Sequence, residues 1–156
     1  MPISRTPDSV PKTDMRALFD VNFLIAIVDT DHEHHSRAHD WWTANISTGW
    51  ATCALTENGM VRIMSQSRYK SPISATFAID LLSEQIGKTD HAFWPDDLSL
   101  RDNSWFNPDR ILGPNQITDA YLLALAVKNG GRLVTFDRSV GLAAVRRAEP
   151  RHLVTI

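Results

Sequence analysis

Short apolar runs alternate with segments of helical period along this chain, and that alternation restricts the possible folds more than any other feature. ALFD (17–20), WATCAL (50–55), HAFWPDD (91–97), RLVTFD (132–137) and HLVTI (152–156) have the length of buried strands. Helical segments separate them. NFLIAIVD follows the first run, and after it DHEHHSRAHDWWTANI places His35, Ala38, Trp41, Trp42 and Ile46 near helical spacing until Gly49 breaks the chain. ENGMVRIMSQ and ISATFAIDLLSEQIG follow the second run, with the loop SRYKSP between them. DAYLLALAVKN precedes the fourth run, and Gly130 with Gly131 is its expected stop. Thr56 and Thr118 read as N-caps of their helices. SVGLAAVRRA reads as a further short helix. Strands separated by helices re-enter a sheet in parallel, so the expected class is α/β: a three-layer α/β/α sandwich with a mainly parallel central sheet.

The chain has 156 residues, 43% hydrophobic and 22% charged, enough for one domain with a proper core. The polar opening MPISRTPDSVPKTD carries three prolines. It reads as a disordered leader or extension over 1–14, with a single domain over 15–156. The apolar run FLIAIV is far too short for a bilayer, and the opening is not a signal peptide, so the expected location is cytoplasmic. The single cysteine, Cys53, excludes a disulfide framework and reads as core filler. A net charge of −2 gives no global basic field, so any nucleic-acid partner must be met by local cations or by metal ions.

Within ALFDVNFLIAIVD, Asp20 and Asn22 interrupt an otherwise apolar stretch. A buried carboxylate is costly unless it is paired, hydrogen-bonded or metal-bound. Asp20 ends the first strand and Asp137 the fourth, while Glu57 and Asp119 open helices behind Thr56 and Thr118. Ligands of open parallel sheets bind outside the carboxyl ends of the strands, and all four acids are expected there. Singly, Glu57 and Asp119 also suit the first turn of a helix, and Asp137 the start of a turn. Together they would repel one another and need a cation. Hard oxygen ligands suit Mg²⁺ or Mn²⁺ rather than zinc, and such an ion can bind phosphate oxygens and lower the pKa of water.

The set ALFDVN, TENGMVRI, ITDAYLLALA and RLVTFDR resembles the PIN-domain ribonucleases, and more closely the VapC-type toxins of bacterial toxin–antitoxin pairs. HEHHSRAHDWW and HAFWPDD are similar to segments of one branch of those toxins. The resemblance implies a PIN-like fold and Mg²⁺-dependent endoribonuclease activity, with in-line attack of water leaving a 3′-hydroxyl and a 5′-phosphate. It places the catalytic acids at Asp20, Glu57, Asp119 and Asp137, with Asp20 and Asp119 as the main metal ligands and the other two completing the pocket. Asn22 and Thr135 match polar positions that would orient a carboxylate or water. The implied partners are RNA, a cognate antitoxin that blocks the pocket, and a second copy of the chain, for which NFLIAIV is the expected face.

Arg62, Arg68, Lys70 and Arg138 are the candidate phosphate contacts. His32 and His34 could line the RNA groove, and of Trp41 and Trp42 at least one belongs to the core while the other could serve an interface or stack a base. His35 and His39 stand four apart but lack the further ligands of a zinc site. A phosphoacceptor receiver domain would need a lysine ending a late strand, and HLVTI has none. A non-catalytic RNA-binding module and a nuclease of DNA flaps or general RNA turnover stay open as alternatives.

Overall fold

Alternating side chains along each short strand supply two apolar faces, and the chain covers both. The computed structural model describes residues 15–156, so the expected leader, 1–14, lies outside the described residues. Five strands, β1 (Ala17–Phe19), β2 (Trp50–Cys53), β3 (His91–Trp94), β4 (Arg132–Thr135) and β5 (Leu153–Thr155), pair in the order β3-β2-β1-β4-β5. All four pairings are parallel. The helices are α1 (Val21–Val28), α2 (His35–Asn45), α3 (Ala54–Met64), α4 (Ala75–Lys88) and α5 (Ile117–Lys128). The two-residue period of a strand sends Leu18, Ala51 and Leu133 to the face covered by α5. Ala17, Phe19, Trp50 and Val134 pack on the other face among residues of α1 to α4. The three-layer α/β/α arrangement read from the sequence is therefore the arrangement found.

The end of α5 follows its glycines. Gly130 adopts φ +69°, the Gly131 N–H donates to the Ala126 carbonyl (2.8 Å), and the Gly130 N–H donates to that of Val127 (3.1 Å). That is a left-handed C-terminal cap, which glycine adopts without a Cβ penalty.

Local expectations fail where tertiary contacts compete. Helix α3 begins at Ala54, directly after β2, so Thr56 is its third residue. Its hydroxyl still accepts from the Cys53 N–H (3.1 Å), sealing the turn from inside. Thr118 is the second residue of α5, which starts after Gln116 and has no side-chain cap. Residues 31–34 form turns rather than helix, since Asp29 and His32 side chains accept from the Asp31 and His34 N–H groups (both 3.0 Å). SVGLAAVRRA is not a helix either. Its backbone pairs with an earlier loop through the Phe106–Val145 bridge, with Asn107 N–H donating to Ala144 O and Arg146 N–H to Trp105 O (2.9 Å each). Those bonds satisfy the backbone and bury Ala144 and Val145, which a free-standing helix would not.

Packing also bears on two surface expectations. Phe23 to Ile27 of α1 are buried by this chain itself, between the sheet, α2 and α3, so the apolar side chains expected to meet a second copy are used within the chain. Trp41 and Trp42 both turn inward onto the Phe19 ring, with centroids 5.8 Å away in each case, because Phe19 and Trp50 leave an aromatic floor beneath α2. Arg132 covers the Trp41 ring at 5.0 Å. Cys53 is buried, and burial pushes its thiol up to about 11, as befits a core residue. Among the described residues no helix is long and apolar enough to cross a membrane.

Candidate active site

Strand order reverses between the central strand β1 and its neighbour β4, and the chain leaves both strands at the same edge. Such a switch point opens a crevice outside the carboxyl ends of the strands. Asp20 follows β1 and is only 6% exposed. It is the N-cap of α1: its Oδ1 accepts from the Phe23 N–H (2.8 Å), and its backbone N–H donates to the Val134 carbonyl (3.1 Å). Its Oδ2 accepts from the Thr135 hydroxyl at 2.5 Å. A helix terminus and a buried hydroxyl thus hold the acid that the apolar sequence left unexplained. Burial nevertheless raises its pKa, against the two hydrogen bonds and with help from the charge of Asp137.

Thr135, fully buried at the end of β4, joins two of the acids. While donating to Asp20 it accepts from the Asp137 N–H (2.9 Å). Asp137 is exposed, and its Oδ1 accepts from both the N–H (2.8 Å) and the hydroxyl (2.6 Å) of Ser139. These bonds hold its carboxyl below the usual range. Asp119 is the third residue of α5, half-buried, with no ion pair or hydrogen-bond donor to its carboxylate among the described residues. Burial, then the charges of Asp20 and Asp137, push it up to about 6. Helix α5 runs from β3's carboxyl end back to the start of β4, so its first turn lies at the carboxyl edge, as expected.

Asp20, Asp119 and Asp137 line one cavity of about 120 Å³, together with Asn22, Thr118 and apolar Val21 and Leu122. Glu57 does not join them. It follows β2, on the far side of β1, and its Oε2 accepts from the Thr52 hydroxyl (2.6 Å). That hydroxyl has one proton, so His91 Nε2, 2.8 Å away, is the donor in the next link. Glu57 instead lines a groove between α3 and α4 with Arg62. Among the described residues no three His, Cys, Asp or Glu side chains form a ready-made metal cluster, and this includes the histidines of 32–39. Convergence of all four acids on one point is therefore corrected to a cavity of three.

The expected phosphate contacts scatter. Arg62 lies with Glu57, Lys70 lines a separate cavity with Asp29 and His32, Arg68 is on the exposed α3–α4 loop, and Arg138 is exposed beside Asp137. Sequence reasoning missed Ser139, which a D-x-S spacing after the fourth strand could have marked as a turn. It also took Thr118 for a cap instead of a cavity wall. Arg110 and Gln116, which share a second cavity with Asp119, carried no local signal.

The described fold agrees with comparison to known proteins. The PIN domain family profile matches residues 17–147. The chain is similar to Ribonuclease VapC44 of Mycobacterium tuberculosis, 51% identical over 142 residues that cover 91% of this chain and 100% of that protein. Ribonuclease VapC38 of the same organism is 44% identical over 142 residues (90% and 99%), and Ribonuclease VapC39 is 43% identical over 132 residues (83% and 94%). A profile spanning the sheet from β1 to the loop after β4, and relatives matched over nearly their whole length, identify this chain as a member of the PIN-domain family, of the VapC type.

Proposed function

We propose that this chain is a divalent-metal-dependent endoribonuclease, the toxin of a VapBC-type pair, hydrolysing RNA phosphodiester bonds with water as the nucleophile. The observation that carries the reading is the cavity at the switch point, where Asp20, Asp119 and Asp137 meet with no cation of the described chain paired to any of them. The donor set fits Mg²⁺ or Mn²⁺. Its lining offers carboxylate, amide and hydroxyl oxygens and no histidine or cysteine, which argues against zinc. The lack of a three-ligand cluster is compatible with Mg²⁺, which keeps several waters and binds through one or two carboxylates plus substrate phosphates.

Asp20 and Asp119 would hold the ion. When bound, it supplies positive charge that lowers the pKa of water and offsets the charge growing on the phosphate. The chain supplies orientation. Thr135 and the first turn of α1 fix the Asp20 carboxylate, Ser139 fixes Asp137 at the rim to position water, and exposed Asn22 can donate to a phosphate oxygen. Water adds to phosphorus as the 3′-oxygen leaves and takes a proton, giving a 3′-hydroxyl and a 5′-phosphate. Glu57 is an accessory acid in this reading, since it must release Thr52 to reach the cavity. The proposed assembly includes RNA and a cognate antitoxin in the cytoplasm. A second copy of the chain rests on the family resemblance alone, because α1 is buried.

The test is cleavage of a labelled single-stranded RNA by the purified chain with Mg²⁺, with EDTA, and with Asp119→Asn. Mg²⁺-dependent 5′-phosphate ends that vanish with EDTA and with the variant are expected. Cleavage that persists in EDTA would refute the metal role, and no cleavage of any RNA under Mg²⁺ would refute the nuclease.

A further inference from the structure

The carboxylate cavity continues sideways. Asp119 also lines a second cavity, of about 120 Å³, whose other polar side chains are Arg110, Gln116 and Ser139. Ala143 belongs to that cavity and to a third, open one lined by Asn107 and Arg146. The two segments that build this surface, 95–113 and 136–149, both leave the carboxyl edge of the sheet, after β3 and β4. They are bonded to each other by the short antiparallel pairing at Phe106 and Val145, so the arginines they carry have a fixed relation to the acids.

Their cations are also available. Arg151 is taken by Glu149 and Lys128 by Asp97 (2.8 Å each), whereas Arg110 and Arg146 form no ion pair among the described residues. Arg146 donates its Nε to the Phe106 carbonyl (3.1 Å), which pins the guanidinium at the surface. Beside it the Arg147 guanidinium stacks on the Trp105 ring at 4.2 Å. A cavity of three acids repels a polyanion, so phosphates flanking the scissile bond need cations immediately outside it. Unpaired guanidiniums on a preformed surface meet that need.

We infer that the RNA strand leaves the carboxylate cavity over Arg110 and runs to Arg146, along the surface made by 95–113 and 136–149. This rests on the proposed nuclease reading and gives that site a polarity: the α3–α4 side, with Arg62 and Arg68, is not the path. Arg110 contacts the phosphate adjoining the cleaved one, and Arg146 a more distant one.

The test compares the full chain with Arg110→Gln, Arg146→Gln and, as a charge-matched control at the opposite edge of the sheet, Lys88→Gln. KM and kcat are measured with Mg²⁺ on a fluorescent single-stranded RNA at about 50 and about 200 mM KCl, a range over which the release of counterions from phosphates is resolved. Each arginine variant is expected to raise KM by about tenfold at the lower salt with kcat nearly unchanged. Each is also expected to flatten the salt dependence by about 0.7 for every phosphate no longer neutralised. Lys88→Gln changes neither. Arginine variants with unchanged KM and salt slope, in a chain that cleaves RNA normally, overturn the path and leave the nuclease standing. The path is overturned in the same way if these variants lose binding to a poly-glutamate peptide but not to RNA, since the patch then faces a protein. A chain that neither binds nor cleaves RNA overturns the nuclease reading and the path with it.

Discussion

Asp119→Asn separates the electrostatic cost of the site from its use. The Asp119 carboxyl, ordinarily near 3.8, is pushed up to about 6 by burial and by Asp20 and Asp137. Below 3.8 the group is protonated in both folded and unfolded chains and contributes nothing. Between 3.8 and 6 the folded chain keeps a proton that the unfolded chain has lost, so stability falls as pH rises through that window, and above 6 the full penalty is present. The full displacement corresponds to about 3 kcal/mol, and solvent screening of a half-buried carboxylate reduces it to roughly 1 kcal/mol. No donor of the described chain bonds to this carboxylate, so an amide there removes the repulsion at little structural cost. Without metal at pH 7.5, Asp119→Asn is expected to melt about 2–4 °C above the parent chain, and at pH 4 the two should coincide. Adding Mg²⁺ should raise the parent melting temperature and leave the variant nearly unmoved, since only binding to the folded state stabilises. Thermal melts followed by circular dichroism at both pH values, with Mg²⁺ and with EDTA, measure all of this. A variant no more stable than the parent at pH 7.5, or equal stabilisation of both by Mg²⁺, would refute the reasoning.

Three further perturbations read other parts of the site. Asp20→Ala removes the α1 cap and leaves the Thr135 hydroxyl without its acceptor, for an expected loss of about 2–3 kcal/mol in urea unfolding; Asp20→Asn, which can still cap, should lose cleavage with a much smaller stability change. Equal destabilisation by both would mean that the cap is not what Asp20 contributes. Glu57→Gln should reduce the Mg²⁺-induced melting shift far less than Asp119→Asn does, because Glu57 sits outside the cavity; an equal loss would place it at the ion. Gly59→Ala brings a Cβ to 2.7 Å from Val21 Cγ2, where α1 and α3 approach, so unfolding measurements should show a loss of about 1–2 kcal/mol; unchanged stability would mean that the contact relaxes freely.

The fold class was legible because its signals are local. Strand length, helical period and the glycines after α5 each act within a few residues, and alternation then requires a parallel sheet. Parallel strands also fix that Asp20, Asp137 and the first turn of α5 share an edge, since a helix between parallel strands must start where the preceding strand ends. The segment SVGLAAVRRA misled for the opposite reason: its backbone partners are Trp105 to Asn107, some forty positions earlier, and no local pattern announces them. The apolar α1 could not reveal from its own composition whether another chain or its own α2 and α3 would cover it.

What the sequence determined by itself was the set of acids and the edge of the sheet on which each stands. Their lateral placement was decided by tertiary structure alone. Hydrogen bonding between strands far apart in the chain put β4 beside β1, bringing Asp137, Thr135 and Asp20 together, and set β2 with Glu57 on the other side. Strand order arises from which buried faces fit together over long separations, a property of the assembled core that no single stretch of residues carries.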